Sequence, residues 1–422
     1  MKQKMSKLLA NHFYFFDYFN RSIQQQYSNR NNKDDLDDRN RTFLSNPFNT
    51  IGALFIEFLM GSVCLIYLIR SNYCNQNTWC MFIRFSAPGT EHYFAVSNYI
   101  TCIQIISYMF CRSRMIQNYQ FLLPLNMDRY NHNRYALDFY NLSLYRKFRA
   151  KLFLLSKIFL FGAVIIGGFL GTTFQIITRQ LYFQYNPFII SIWLCLFLYW
   201  IVHTSSNLHR TPFVLLIIAY YNSLRQKMIR EKCISIDRNL LRSSTINGFS
   251  QFIELNREQI EFEKSFKLYN DQMCRYFSIL FAFNNLNIAY FTYILFFSDL
   301  SINFVPIYSI LFLTQSSILI VSIFIGSRIV TDCNSISKWN IYFLCKRSTT
   351  FIRFHRSKND FIGDLNQKIW KEKLRYTSVA FSSLKKPIGF ILINGHLISR
   401  RTYIDVLGNG LIFFCLIFNN KR

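Results

Sequence analysis

The sequence predicts an all-α, polytopic membrane protein with seven transmembrane helices and a cytoplasmic amino terminus. Three observations carry that prediction. Hydrophobic residues make up 51% of the chain and aromatic residues 18%, against only 17% charged residues, a balance foreign to ordinary soluble enzymes. The apolar residues gather into runs near the ~20 residues that a helix needs to cross a bilayer. Finally, the 48 Lys and Arg residues are sorted between loops. The segment before span one and the loops between spans two and three, four and five, and six and seven carry 8, 8, 10 and 13 of them. The other three loops and the tail together carry 5. Basic residues stay on the cytoplasmic face because moving them across the bilayer is costly and opposed by the membrane potential. An odd number of spans that starts inside ends outside, so the carboxyl terminus is expected to be extracellular. The net charge of +26 then belongs to loops lying against anionic headgroups, not to a nucleic-acid surface.

The elements follow in order. Residues 1–50 form a cytoplasmic segment without the apolar core of a signal peptide, and its part 24–41 is polar and charged. Spans one to six occupy 51–330, with a long cytoplasmic helical loop over 222–275. Span one covers 51–69, span two 94–111 and span three 152–177. The small residues Gly162, Gly167, Gly168 and Gly171 in span three permit close helix approach. Span four reads as one long helix that begins at Pro187, leaves the bilayer near His203 and continues into the cytoplasm with a kink at Pro212. Splitting it in two would move the loops with 10 and 13 basic residues outside, which the charge sorting rejects. Phe252, Leu255, Gln259, Phe262, Phe266, Tyr269 and Met273 recur at three- and four-residue steps, an amphipathic helix leading into span five at 276–297. Span six covers 304–326. A cytoplasmic linker and helix are expected over 331–400, and these cytoplasmic helical extensions should pack on one another as an anchor region.

A short final span is expected over 401–422. The apolar run 388–398 is too short to cross a bilayer, and the run 406–418 barely suffices. A short helix is acceptable where it faces protein or a water-filled path, which makes it a candidate pore liner. Eleven cysteines are scattered singly without metal-binding spacing. Cys74 and Cys80 share a predicted extracellular loop, where a disulfide would persist, although spacing alone does not establish the pair. The sequons at Asn20, Asn40 and Asn141 fall in predicted cytoplasmic segments and read as accidental.

The closing stretch GFILINGHLISRRTYIDVLGNGLIFFCLIFNN, together with this topology, resembles the insect-type gustatory and odorant receptor superfamily of arthropods, as a divergent gustatory receptor-like member. That superfamily ends roughly in Gly-Phe-Phe-x-Leu-Asn, then Leu-Gly-x-x-x-Thr-Tyr, five apolar residues and Gln-Phe. Gly389, Phe390 and Asn394 fit the first element. For the second, a literal Thr402-Tyr403 leaves Asp405 inside the apolar run. Aligning Leu407-Gly408 instead places Ile412-Phe413 at Thr-Tyr and Asn419-Asn420 at Gln-Phe, with only apolar residues between, and is the better register.

The resemblance implies a chemosensory receptor of the plasma membrane, acting as a ligand-gated, non-selective cation channel and assembled as a tetramer. It implies a pore lined by the last helix and a pocket among spans two to six for a small organic tastant or odorant. In that frame Asn419 would meet permeant cations, and Ile412, Phe413 and Leu416 would form an apolar gate. Tyr99, Trp193, Trp200, Tyr290, Tyr293 and Gln315, with His203, are polar-tipped groups within spans and candidate ligand contacts. Aromatics also settle at membrane interfaces, which Trp200 and His203 would equally suit. Glu57 and Lys157 are charges inside spans one and three and could pair. No catalytic or metal cluster lies on a span, so neither an enzyme nor a cofactor is expected. A seven-span G-protein-coupled receptor is the alternative reading. Its DRY triplet appears at Asp128-Arg129-Tyr130, but in a loop after span two, and the charge sorting inverts that family's orientation. A transporter would show an internal repeat, and none is visible.

Overall fold

The computed structural model describes residues 47–72, 78–86, 89–116, 137–165, 176–177, 181, 185–240, 245–298, 305–354, 388–393, 395, 397–399, 401–402, 404–406 and 408. Helices dominate them: α1 (Pro47–Ile69), α2 (Glu91–Ile116), α3 (Phe139–Gly162), α4 (Pro187–Leu240), α5 (Thr245–Phe297) and α6 (Val305–Phe354), with a 3-10 stretch at Thr78–Phe85 before α2. Among the described residues there is no named strand, and the fold is all-helical.

Local chemistry sets several helix starts. The Asp138 carboxylate accepts from the backbone N–H of Asn141 at 2.7 Å, capping α3. Asn141 is itself fully buried there, out of reach of a glycan. Asn186 accepts from the N–H of Phe188 at 2.9 Å, and Pro187 occupies the first helical position, where no N–H is needed.

Span four is the single helix that the charge sorting required. α4 runs 54 residues through Pro212, about 80 Å at 1.5 Å per residue, more than twice a bilayer core. The amphipathic stretch before span five is likewise continuous with it in the 53 residues of α5. α6 continues past the end of span six as one 50-residue helix, so the chain is helical across residue 330.

Among the described residues, beside a small third cluster of Phe291, Ile294 and Tyr308, two larger cores lie along these long helices. One joins α1, the 3-10 stretch and the first part of α4, around Met60, Phe82, Trp193, Phe197 and Trp200. The larger joins the start of α3 to the later parts of α4, α5 and α6, around Leu216, Ile217, Phe262, Phe277, Ile329 and Phe390. Around the first core Phe55, Phe58 and Phe188 are exposed, as are Phe161 of α3 and Phe324 of α6. Among the described residues four helical stretches, 52–69, 187–236, 273–297 and 308–342, are long and apolar enough to cross a membrane. An apolar exterior on such helices is what a hydrocarbon solvent selects, and the chain is a membrane protein.

The run 388–398, within the stretch expected as a cytoplasmic linker and helix, is not helical at its described residues. It is a reverse loop, with an antiparallel bridge between Ile391 and Leu397 and a bond from the Ile398 N–H to the Phe390 carbonyl at 2.8 Å. The turn needs a left-handed residue, supplied by Gly395 at φ +80°. Its N–H groups are met by side chains of α5: Asn270 Oδ1 accepts from Ile391 at 2.9 Å and Ser278 Oγ from Ile393 at 2.7 Å. Phe390 is enclosed, its ring 5.0 Å from Phe266 and 4.8 Å from Phe277. The run is apolar because it plugs the core, not because it enters a membrane. Residues 401–402, 404–406 and 408 are helical again, and the pore candidates Ile412, Phe413, Leu416 and Asn419 lie outside the described residues.

Candidate functional site

A cavity of about 460 Å³ opens between α2, α3, α4, α5 and α6. Helical periodicity assembles its walls. Phe94, Ser97, Asn98 and Thr101 recur at three- and four-residue steps along one face of α2, as do Phe197, Trp200, Ile201, Thr204 and Leu208 along α4. α5 contributes Asn287 and Phe291, and α6 contributes Tyr308, Leu311 and Gln315. Gly162 of α3 completes a wall. A Cβ added to Gly162 would meet nothing within 4 Å, so it borders open space and does not provide the close helix approach read from the glycine run. Gly167, Gly168 and Gly171 lie outside the described residues.

Among the described residues, the lining carries no charged side chain. Most of its hydroxyls are engaged elsewhere. Ser97 donates to the Phe94 carbonyl at 3.0 Å, Thr101 to that of Ser97 at 2.8 Å, and Thr314 to that of Ile310 at 2.7 Å. Three amide atoms have no partner: Asn98 Nδ2, Asn287 Oδ1 and Gln315 Oε1. The orientation of Asn287 follows from a buried amide network. Gln104 Nε2 donates to Tyr108 at 3.0 Å and to Asn284 Oδ1 at 3.3 Å, so its Oε1 faces Asn287 Nδ2 and accepts from it at 2.9 Å. The Asn287 oxygen is left free.

Behind the α4 wall lies a buried carboxylate. Glu57 of α1, with no exposed surface, accepts from Trp200 Nε1 at 2.9 Å and Thr204 Oγ1 at 2.7 Å. His203 Nδ1 stands 3.1 Å from the same carboxylate. Asn207 Nδ2 lies 2.9 Å from His203 Nε2 and donates to the His203 backbone carbonyl at 3.0 Å. This cluster corrects the pairing of Glu57 with Lys157 considered from the sequence. Lys157 is exposed on α3, whereas Glu57 is solvated by donors spaced along one turn of α4. The Trp200 and Thr204 donors offset part of the cost of burying this side chain.

The candidate ligand residues separate into two groups. Trp200 and Gln315 line the cavity together, and His203 stands 3.1 Å from Glu57, outside the lining. Trp193 stacks on Phe82 at 6.4 Å, and Tyr99 packs against the same core. Tyr290 donates to the Tyr93 carbonyl at 3.2 Å, and Tyr293 meets the Tyr93 ring at 6.2 Å. These four lie outside the lining and belong to the shell around it. Asn98 and Asn287 were missed, although their signal was visible: an amide within an apolar span is expensive unless something meets it. Cys80 is disulfide-bonded, and Cys74 lies outside the described residues.

No protein-family model matches the sequence, and no curated protein matches it. Among solved structures, the chain is similar to the insect olfactory receptor OR5 from Machilis hrabei in complex with eugenol. The TM-score is 0.64 at 8% identity, over 97% of this chain and 99% of that one. It is also similar to the same receptor in a second structure, at TM-score 0.57 and 9% identity over 87% of each chain. Almost the whole length of both chains is shared in three dimensions while almost no residues are, as expected where packing geometry outlasts sequence. The fold of this chain is that of the insect olfactory receptors, the superfamily its closing residues resemble.

Proposed function

We propose that the chain is a chemosensory receptor of the insect type, a ligand-gated, non-selective cation channel of the plasma membrane. The observation that carries this reading is the near-complete overlap with a receptor fold, joined to an uncharged cavity among α2 to α6. The matched receptor is in complex with eugenol, a small organic molecule, and a cavity of about 460 Å³ suits a ligand of that kind here. Seven spans, a cytoplasmic amino terminus and an extracellular carboxyl terminus complete the reading, supported by the sorting of basic residues. Four chains would surround a central pore, with Ile412, Phe413 and Leu416 as the apolar gate and Asn419 as an amide ring for partly hydrated cations. A ligand opens such a channel only if it binds the open state better than the closed one.

Expression in a heterologous cell, with whole-cell recording across a panel of organic compounds, tests the proposal. The expected result is a ligand-evoked cation current independent of guanine nucleotides, whose permeability ratio changes in Asn419→Ala at normal surface level. Current that needs guanine nucleotides, or an amino-terminal epitope stained on intact cells, would overturn it.

A further inference from the structure

We infer that Glu57 is a positioning residue for the cavity: from α1, outside the lining, it fixes the α4 wall and withholds two of that wall's donors from a ligand. This rests on the reading of the cavity as the ligand site. Among the described residues α1 gives the lining no side chain. Its Glu57 nevertheless engages two residues that do line it. Trp200 Nε1 donates to Oε2 at 2.9 Å, and Thr204 Oγ1 donates to Oε1 at 2.7 Å. Trp200 and Thr204 stand four residues apart on one face of α4, so a single carboxylate spans both. The contact is enclosed from every side: Glu57 has no exposed surface, and Trp200 and Thr204 are buried. Gly61, one turn beyond Glu57, brings α2 close against α1, since a Cβ there would lie 3.3 Å from that of Cys102.

This hold shapes what the wall presents. An indole has one polar atom, and with Nε1 committed to Glu57 the Trp200 ring offers the cavity only carbon. That ring stacks on Phe197 at 5.8 Å, and Phe197 in turn meets Phe94 and Phe85, all of them lining residues. The aromatic wall thus takes its register from the ring that Glu57 holds. The Thr204 hydroxyl has a single proton, and Glu57 engages it in the same way. If the carboxylate is removed, a buried N–H and a buried O–H lose their acceptor. An acceptor on a ligand in the cavity they border can then replace it.

Two probes of one shape test this: 4-phenylbutan-2-one, which only accepts hydrogen bonds, and its hydrocarbon counterpart (3-methylbutyl)benzene. Both are titrated against the full chain in lipid nanodiscs and corrected for lipid partitioning. Glu57→Met, which keeps the side-chain length but no acceptor oxygen, should raise the ketone-to-hydrocarbon affinity ratio about 3- to 10-fold over the native chain. Glu57→Gln keeps one acceptor oxygen and should raise it less. Adding Trp200→Phe and Thr204→Val to Glu57→Met removes both released donors and should return the ratio toward the native value. A Glu57 that served folding alone would weaken both probes together and leave the ratio where it was. An unchanged ratio in Glu57→Met, or in Glu57→Gln should the methionine variant not fold, would overturn the inference. So would a raised ratio that outlasts removal of the two donors. Gly162→Phe, which fills the cavity from its open wall, should abolish binding of both probes. Binding that survives Gly162→Phe, or the absence of binding by either probe, would remove the reading of the cavity as the ligand site and the inference with it.

Discussion

The two halves of α4 are buried in different ways: the first has an apolar exterior and a polar interior, the second is enclosed by apolar packing. Over its first half Phe188, Ile192 and Tyr199 point outward and exposed, while Trp200, Thr204 and Asn207 are buried. The polar groups there meet Glu57 and His203 or border the cavity, so the apolar exterior and the polar interior invert the pattern of a soluble helix. Over its second half Phe213, Leu215, Leu216, Ile217, Ile218 and Ala219 are buried in succession, a helix enclosed by apolar packing on every side. Charge appears at its edges, with Arg230 donating to Asp332 at 2.6 Å and Lys232 to Glu258 at 2.7 Å. The first half borders open space; the second lies in the larger core that Phe390 of the 388–398 loop joins. On the proposed reading, binding would fall on the first stretch of this rod and anchoring on the second.

Mutations can break or sharpen that contrast. The largest effect is expected from Phe390→Ala, which empties the space between Phe266 and Phe277 in the larger core. It should destabilise by about 3–5 kcal/mol, read as a lower unfolding midpoint in detergent and reduced surface expression. Glu57→Gln comes next. The amide brings an NH₂ group toward Trp200 and Thr204, which already donate, and one buried donor must go unmet, at about 1–3 kcal/mol. If Glu57→Gln were neutral in thermal unfolding, the carboxylate would not be organising α1 and α4. Gly389→Ala should follow at about 1–3 kcal/mol, because its new methyl would lie 2.5 Å from Val330 and 2.8 Å from Leu397. The smallest change in stability belongs to Gly162→Phe, where a much larger addition enters open space. Its unfolding midpoint should stay near wild type while the ligand response is lost. A midpoint drop matching that of Gly389→Ala would mean that the two halves are packed alike.

Much of the architecture was legible in the sequence because it follows from one-dimensional patterns. The sorting of basic residues required α4 to be a single helix, and the three- and four-residue spacing from Phe252 to Met273 marked α5 as continuous beneath its span. The site was legible only in part. Trp200 and Gln315 were singled out as polar groups within apolar helices, and they do share a cavity. Tyr290 and Tyr293 have the same local character, yet their partner is Tyr93. The 388–398 run carries the same signal whether it enters lipid or plugs a core, since both are apolar.

The sequence by itself determined that α4 is one helix, that the stretch from Phe252 to Met273 is helical and which segments carry the positive charge, because helical periodicity and the transfer energy of charge act along the chain. Only the tertiary structure decided that Glu57 is met by donors of α4 instead of Lys157, that Asn98, Asn287 and Gln315 face one cavity, and that Phe390 closes the lower core. Those facts depend on the rotation of each helix about its axis against its neighbours. That rotation is fixed by packing among residues far apart in the chain, such as Glu57 and Trp200, and no local pattern encodes it.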